Sequence, residues 1–313
     1  MGICAADCSQ THIELATQAQ VDSFQAIYGA GGTCDTITGN LAIEGDDIVD
    51  LVPLGDLVSV GGLFVRRNPL LTTLDGLDGV SSITHAGSWL SIFGNPLLTD
   101  LDGLSSVTTV SGSLYIGSNV SLTNMDGLSG MTSFAGDVEI VDNPELAGVY
   151  GLRGLASVHL KGRLVIVRND ALTTLNGLDG IISVGNYYLN QGSGGGLVIA
   201  GNVSLNTLDG LSSIRSVDGD LRIVNSALQN LNHLSNLTAV GLNVEIRSNA
   251  ALTNCQGISA LLDAVDDDDP GPGPGPDEIP DVAGTIYFEN NSAGCNSLAE
   301  IRGAIFTDGF ETR

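Results

Sequence analysis

A segment with the pattern L-x-I-x-x-N-x-x-L-T-x-L-D-G-L-x-x-L-x-x-V-x-G recurs along this chain, and a unit that short cannot bury its apolar residues alone. Three copies show it well, starting at Leu90, Leu114 and Leu197. The second apolar residue of the L-x-I pair falls at 43, 65, 92, 116, 140, 166, 199, 223, 246 and 288, a period near 24 with two long gaps of 33 and 42. L-x-I alternates with period two and reads as a short strand. The D-G and x-G steps read as corners, because glycine accepts backbone angles that other residues resist. One repeat is then one coil of a parallel β-solenoid. A mainly β rod of about ten coils, roughly 45–50 Å long at ~4.8 Å per coil, is the expected architecture.

An asparagine stands three residues after the L-x-I apolar position at Asn68, Asn95, Asn119, Asn143, Asn169, Asn202 and Asn249. Turned inward at a bend, such a side chain bonds the backbone of adjacent coils; the alternative is a row of ligand-binding amides. Asn119-Val-Ser121 and Asn202-Val-Ser204 also match the glycosylation sequon, which a buried asparagine could not use. Thr17-Gln18-Ala19-Gln20 fits a capping box, and Val21, Phe24 and Tyr28 follow on one helical face before Gly29. That predicts a helix over 17–28 covering the first coil.

These residues resemble the leucine-rich repeats of the receptor L-domain family, found in secreted and cell-surface proteins. The resemblance spans about residues 39–262, with a weaker last copy near 285–298. Thr11–Asn40 is similar to that family's N-terminal cap, a strand and helix followed by a cysteine and the strand Gly39-Asn40-Leu41-Ala42-Ile43. The resemblance implies the fold and an extracellular setting, and leaves the ligand open because the family's members bind very different ones.

Composition narrows the partners. The 313 residues carry 36 acidic and 11 basic side chains, a formal charge of −25, which repels nucleic-acid phosphates and anionic lipid. Apolar residues are 42% of the chain and charged ones 15%, so the chain is not of disordered type. No run of apolar residues is long enough for a transmembrane segment. Met1-Gly2-Ile3 opens without a basic region or an apolar core, so no complete secretory signal is read, as in a mature or trimmed chain. The five cysteines sit at the two ends of the sequence, at 4, 8, 34, 255 and 295, without zinc spacing. They read as terminal staples formed in an oxidising compartment. Cys34 pairs with Cys4 or Cys8, of which Cys8 is preferred.

The two long gaps contain recognisable insertions. Residues 186–195 carry Tyr187 and Tyr188 in a loop beside the strand at Leu197. Residues 263–283 form an acidic Pro-Gly linker whose alternating prolines cannot pair in a central strand. With that linker removed, Phe288 takes the place of Ile246 and Asn291 that of Asn249. Cys255 and Cys295 then fall on the same stretch of adjacent coils, about 5 Å apart, which predicts a disulfide. The expected organisation is a cap over 1–38, repeats over 39–262, the linker over 263–283, and a last coil with tail over 284–313.

Candidate chemistry is sparse. Aspartates recur at the D-G-L corner (Asp75, Asp102, Asp126, Asp209), with Asn176 and Asn232 substituting. Stacked carboxylates can serve as acid and base, but Asp–Asn interchange fits a turn that accepts a backbone N–H and is ruinous in catalysis. A threonine column (Thr72, Thr99, Thr123, Thr173, Thr253) has the spacing of ice-binding solenoids, but it is one residue wide and broken. No catalytic residues, metal ligands or cofactor are read, and the chain is not expected to be an enzyme.

The outward side of the L-x-I strands is more informative. If Leu90 and Ile92 point in, then Trp89, Ser91 and Phe93 point out, as do Phe64, Tyr115, Val141, Val165, Val167, Val198 and Val224. Glu44, Arg66, Arg222, Glu245 and Arg247 take those places in the end coils. An apolar stripe rimmed by charge marks a contact surface. Phe64, Trp89, Phe93, Tyr115, Val165 and Val198, with Tyr187 and Tyr188 beside them, are the expected binding residues. The expected function is a secreted or cell-surface recognition or adhesion module that binds a protein or a glycan. The alternative is a structural protein that assembles with copies of itself into a multimer or filament.

Overall fold

The computed structural model describes residues 12–29, 32–85, 87–185, 195–263 and 282–301. Within them the chain is a parallel β-solenoid. The L-x-I strands stack into a long sheet from His12–Leu15 at one end to Ile286–Glu289 at the other, part of a 14-stranded assembly. Register is one coil per repeat throughout. Leu15, Ile43, Val65, Ile92, Ile116 and Ile140 align in one column, which continues through Ile166, Ile199, Ile223 and Ile246 to Phe288. Leu15 extends that column one strand beyond the positions read from the repeat.

Each coil has a second short strand on another face. Ser59–Val60, Ser82–Ile83, Thr109–Val110 and Ser133–Phe134 pair in succession, and Val158–Leu160, Ile181–Val184, Ser216–Val217 and Ala239–Val240 form a separate four-stranded sheet. The third side is closed by single 3₁₀ turns on the D-G-L corners, as at Asp102–Leu104, Asp126–Leu128 and Asn232–Leu234. The core is a stack of thin aliphatic layers: Leu98, Leu101, Leu104, Val107, Leu114 and Ile116 are all 0% exposed. Insertions leave this register untouched, because Leu164 pairs directly with Leu197 across the insertion of residues 186–194.

The asparagines bind the coils together. All seven are 0% exposed. Asn95 donates through Nδ2 to the Val65 carbonyl of the preceding coil (3.0 Å), and its Oδ1 accepts the Asn68 backbone N–H (3.1 Å) and Asn68 Nδ2 (3.0 Å). The same reciprocal pattern repeats at Asn119, Asn143, Asn169 and Asn202, and Asn291 provides it for Asn249. Position 226 is a serine, and its buried Oγ has no partner. The asparagine of each sequon named above therefore lies inside the rod. Just before each of these positions the backbone turns left-handed, at Arg67, Ser118, Asp142, Arg168, Asn225, Ser248 and Asn290 (φ 52–58°) and at Gly94 and Gly201.

At the N-terminal end the capping box forms, with Gln20 Oε1 accepting from the Thr17 N–H at 3.1 Å. The expected single helix is instead two, Gln18–Asp22 and Phe24–Tyr28, divided at Ser23. That break turns Val21 and Phe24 inward together, both 0% exposed. At the other end Cys255 and Cys295 form a disulfide with Cα atoms 5.7 Å apart. Cys34 is also disulfide-bonded, while Cys8, the Pro-Gly insertion over 264–281 and the tail from 302 lie outside the described residues.

Candidate functional site

The outward residues of the L-x-I sheet form two rows. In the first, Phe64, Ser91, Tyr115, Glu139, Val165, Val198, Arg222, Glu245 and Tyr287 follow one another in register. In the second, Arg66, Phe93, Gly117, Val141, Val167, Ala200, Val224 and Arg247 do so. Phe64, Trp89, Phe93, Tyr115, Val165 and Val198 are all half-buried on this one face. Tyr187 and Tyr188 lie outside the described residues.

The stripe is not continuous in the first row, although Val141 continues it in the second. Glu139 stands between Tyr115 and Val165 and splits it into an aromatic patch and an aliphatic one. Alternation alone assigns Glu139 to this face, although an apolar pattern does not include it. Ser91 is outward by register yet only 8% exposed, because it is a small residue between Phe64 and Tyr115.

The aromatic patch is held tightly. Phe93 and Tyr115 have ring centroids 5.7 Å apart, inside the range of favourable aromatic pairs. Position 117 is glycine because the Tyr115 ring lies across it: a Cβ there would meet the ring carbon Cζ and the hydroxyl at 2.8 Å. Burial pushes the Tyr115 hydroxyl pKa up, and the charges of Glu139 and Asp142 add to it. The guanidinium of Arg66 stands 5.6 Å from the Phe64 ring centre, and that of Arg67 5.9 Å from that of Phe93.

The charges on the face neutralise one another. Glu44 takes Arg66 at 2.6 Å and Arg67 at 2.8 Å; Arg163 bonds Glu139 at 2.8 Å and lies 3.5 Å from Asp137. Arg168 pairs with Asp142, and Glu245 takes both Arg222 and Arg247. The Arg67 hydrogen bond holds the Glu44 carboxyl below its usual range, against burial and with help from Arg66. Burial pushes Glu245 up, but the hydrogen bonds from Arg247 and Arg222 outweigh it and leave the group below its usual range. Six of the chain's eleven cations thus meet five carboxylates on one face of a molecule whose charge is −25.

The corner aspartates behave differently from the reading of their spacing. Their backbone N–H groups are the ones being accepted, by side chains two residues earlier: Asp100 for Asp102, Asn124 for Asp126, Asn230 for Asn232 and Thr207 for Asp209. Asp–Asn interchange is tolerated at those earlier positions because either oxygen can accept. The corner carboxylates instead stack along the rod. Burial raises the pKa of Asp102, and the charges on Asp100, Asp126 and Asp75 raise it further. The threonine column is bound into the backbone, with the Thr123 hydroxyl donating to the Thr99 carbonyl at 3.1 Å. Among the described residues, no three His, Cys, Asp or Glu side chains are grouped to hold a metal, and no helix is long and apolar enough to cross a membrane.

The chain matches no family model, no curated protein and no solved structure.

Proposed function

We propose that this chain is a non-catalytic recognition or adhesion module of the leucine-rich-repeat type, similar to receptor L-domains and working outside the cell, which takes a protein or glycan on the outward face of its L-x-I sheet. One observation carries the reading: a half-buried apolar surface whose charges are internally paired, on a rod that is otherwise strongly acidic. Repulsion of an anionic partner by the rod is weakest where the charges are paired. The disulfides are compatible with an oxidising compartment.

The test is a protein and glycan array probed with the wild type and with Tyr115→Asp. Placing a carboxylate beside Glu139 should remove binding of any captured partner while the melting temperature moves little. Capture that survives Tyr115→Asp and Val165→Asp alike overturns the assignment. A second reading, self-assembly, is favoured by the outer edge of Ile286–Glu289, which pairs with no other strand among the described residues. Light scattering across a concentration series separates the two: a persistent monomer supports recognition.

A further inference from the structure

The chain's single tryptophan and single lysine, 72 positions apart in sequence, line one groove. The groove runs across the coils where the short second strands turn into the L-x-I strands, and its volume is about 340 Å³. Its floor is bare backbone. A Cβ at Gly112 would lie 1.6 Å from the Ser88 carbonyl oxygen, and one at Gly136 would lie 2.3 Å from Ser113 Oγ, so the corner excludes side chains there. Trp89 stands in the first of the coils it crosses and Lys161 in the fourth, about 14 Å further along the rod at ~4.8 Å per coil.

The lining is amphipathic in a specific way. Trp89 is half-buried and offers an aromatic wall. Ser111 supplies an exposed hydroxyl, while Ser113 and Asp137, both buried and joined by the Asp137 N–H to Ser113 Oγ bond at 3.0 Å, border the groove. Asp137 accepts the Arg163 backbone N–H at 2.9 Å through one oxygen and stands 3.5 Å from Arg163 Nε with the other. Lys161 is exposed and makes no ion pair with a described residue, in contrast to the paired arginines of the neighbouring face.

We infer that this groove binds a short acidic oligosaccharide, one sugar ring stacked on Trp89 and a carboxylate of the chain set against Lys161. A pyranose presents a flat C–H face to an indole and a rim of hydroxyls to the serine hydroxyl and backbone groups of the corner. A flat aromatic ligand would leave those polar groups unpaired, at a cost. One ammonium matches one carboxylate, whereas a polyphosphate would need more cations than the groove holds. The volume lies at the small end of ligand sites, which run from about 300 to 1,000 Å³.

This deepens the recognition reading and rests on it, but it separates from it experimentally. Trp89 is the only tryptophan, so its fluorescence reports on the groove and on the edge of the L-x-I face where it stands, and Lys161 variants tell the two apart. Titration with a cellotriose carrying a single uronate carboxylate should give a saturable change in emission, with neutral cellotriose at least ten-fold weaker. Lys161→Gln should weaken the mono-uronate trisaccharide about ten-fold, and Trp89→Phe or Trp89→Ala should reduce or abolish the heat of binding in calorimetry while the circular dichroism is unchanged. A flat titration up to about 10 mM, beyond the weak-affinity range, overturns the proposal, as does equal binding of both sugars unaffected by Lys161→Gln. If the titration is flat while Tyr115→Asp still removes an array partner, the groove assignment falls and the face assignment stands.

Discussion

At the residue scale, two columns with similar spacing do opposite things. The asparagines hold stability, because each satisfies a carbonyl of the preceding coil and an N–H of its neighbour within a core that water does not enter. Asn143→Ala removes the bond to the Ile116 carbonyl (3.0 Å) and the acceptor for the Asn119 N–H (3.1 Å). It should cost on the order of 1–3 kcal/mol in a urea titration; an unchanged midpoint would mean that these groups find water. At the corner, Asp102 pulls the other way. The folded pKa of Asp102 lies above its ordinary value of 3.8, first through burial and then through neighbouring carboxylates. A group raised in this way contributes its stability when protonated and loses it as pH rises through the folded pKa. Asp102→Asn should therefore raise the melting temperature slightly at neutral pH, by no more than the ~0.5 kcal/mol typical of surface changes. The gain should disappear once the pH falls below the ordinary aspartate range. Glu44, lowered by Arg67 above all, has the reverse sign: its contribution is present at neutral pH and lost as the solution is acidified.

At the scale of the coil, the ladder shows its own rule by the one place where it breaks. Ser226 occupies an asparagine position, its backbone N–H still donates to Asn249 Oδ1 at 3.0 Å, and its hydroxyl is buried without a partner. The reciprocal bonds that an asparagine makes elsewhere, to the preceding coil's carbonyl and from the preceding asparagine's N–H, are missing between Ile199, Asn202 and this position. Ser226→Asn should restore them and gain about 1 kcal/mol, read as a higher thermal midpoint. A loss instead would show that the turn at Asn225 leaves no room for the longer side chain. The coil also explains why the ladder needs help: the residue before each asparagine position sits at positive φ, and only Gly94 and Gly201 adopt that angle without side-chain strain.

For the whole molecule, each coil touches only its neighbours, so stability is set locally and the ends are the weak points. The Cys255–Cys295 bridge ties the last strand to the coil before it across a separation of 40 residues. In the chain-entropy picture a loop of that size is worth up to about 4 kcal/mol. Cys255→Ser with Cys295→Ser should leave the central coils intact and raise hydrogen exchange first in Ile286–Glu289. Uniform loss of protection along the rod would show that the solenoid unfolds as one unit.

The repeat in the sequence determined the coil, its register, the inward column from Ile43 to Phe288, the position of the asparagines and the pairing of Cys255 with Cys295. It could do so because neighbouring coils are in contact one period apart, which turns spacing along the chain into proximity in space. Other features depend on contacts that no period encodes. The sequence shows neither the break of the N-terminal helix at Ser23 nor which side chain accepts which N–H at the aspartate corner, since both depend on how local backbone meets the coil beneath it. It places Glu139 on the outward face by parity alone, and only packing shows that Arg163 neutralises it and that the apolar stripe is thereby divided. The groove between Trp89 and Lys161 has no signature at all: those two residues lie in different coils and different columns, and only the stacking of coils over a side-chain-free glycine corner brings them to one surface.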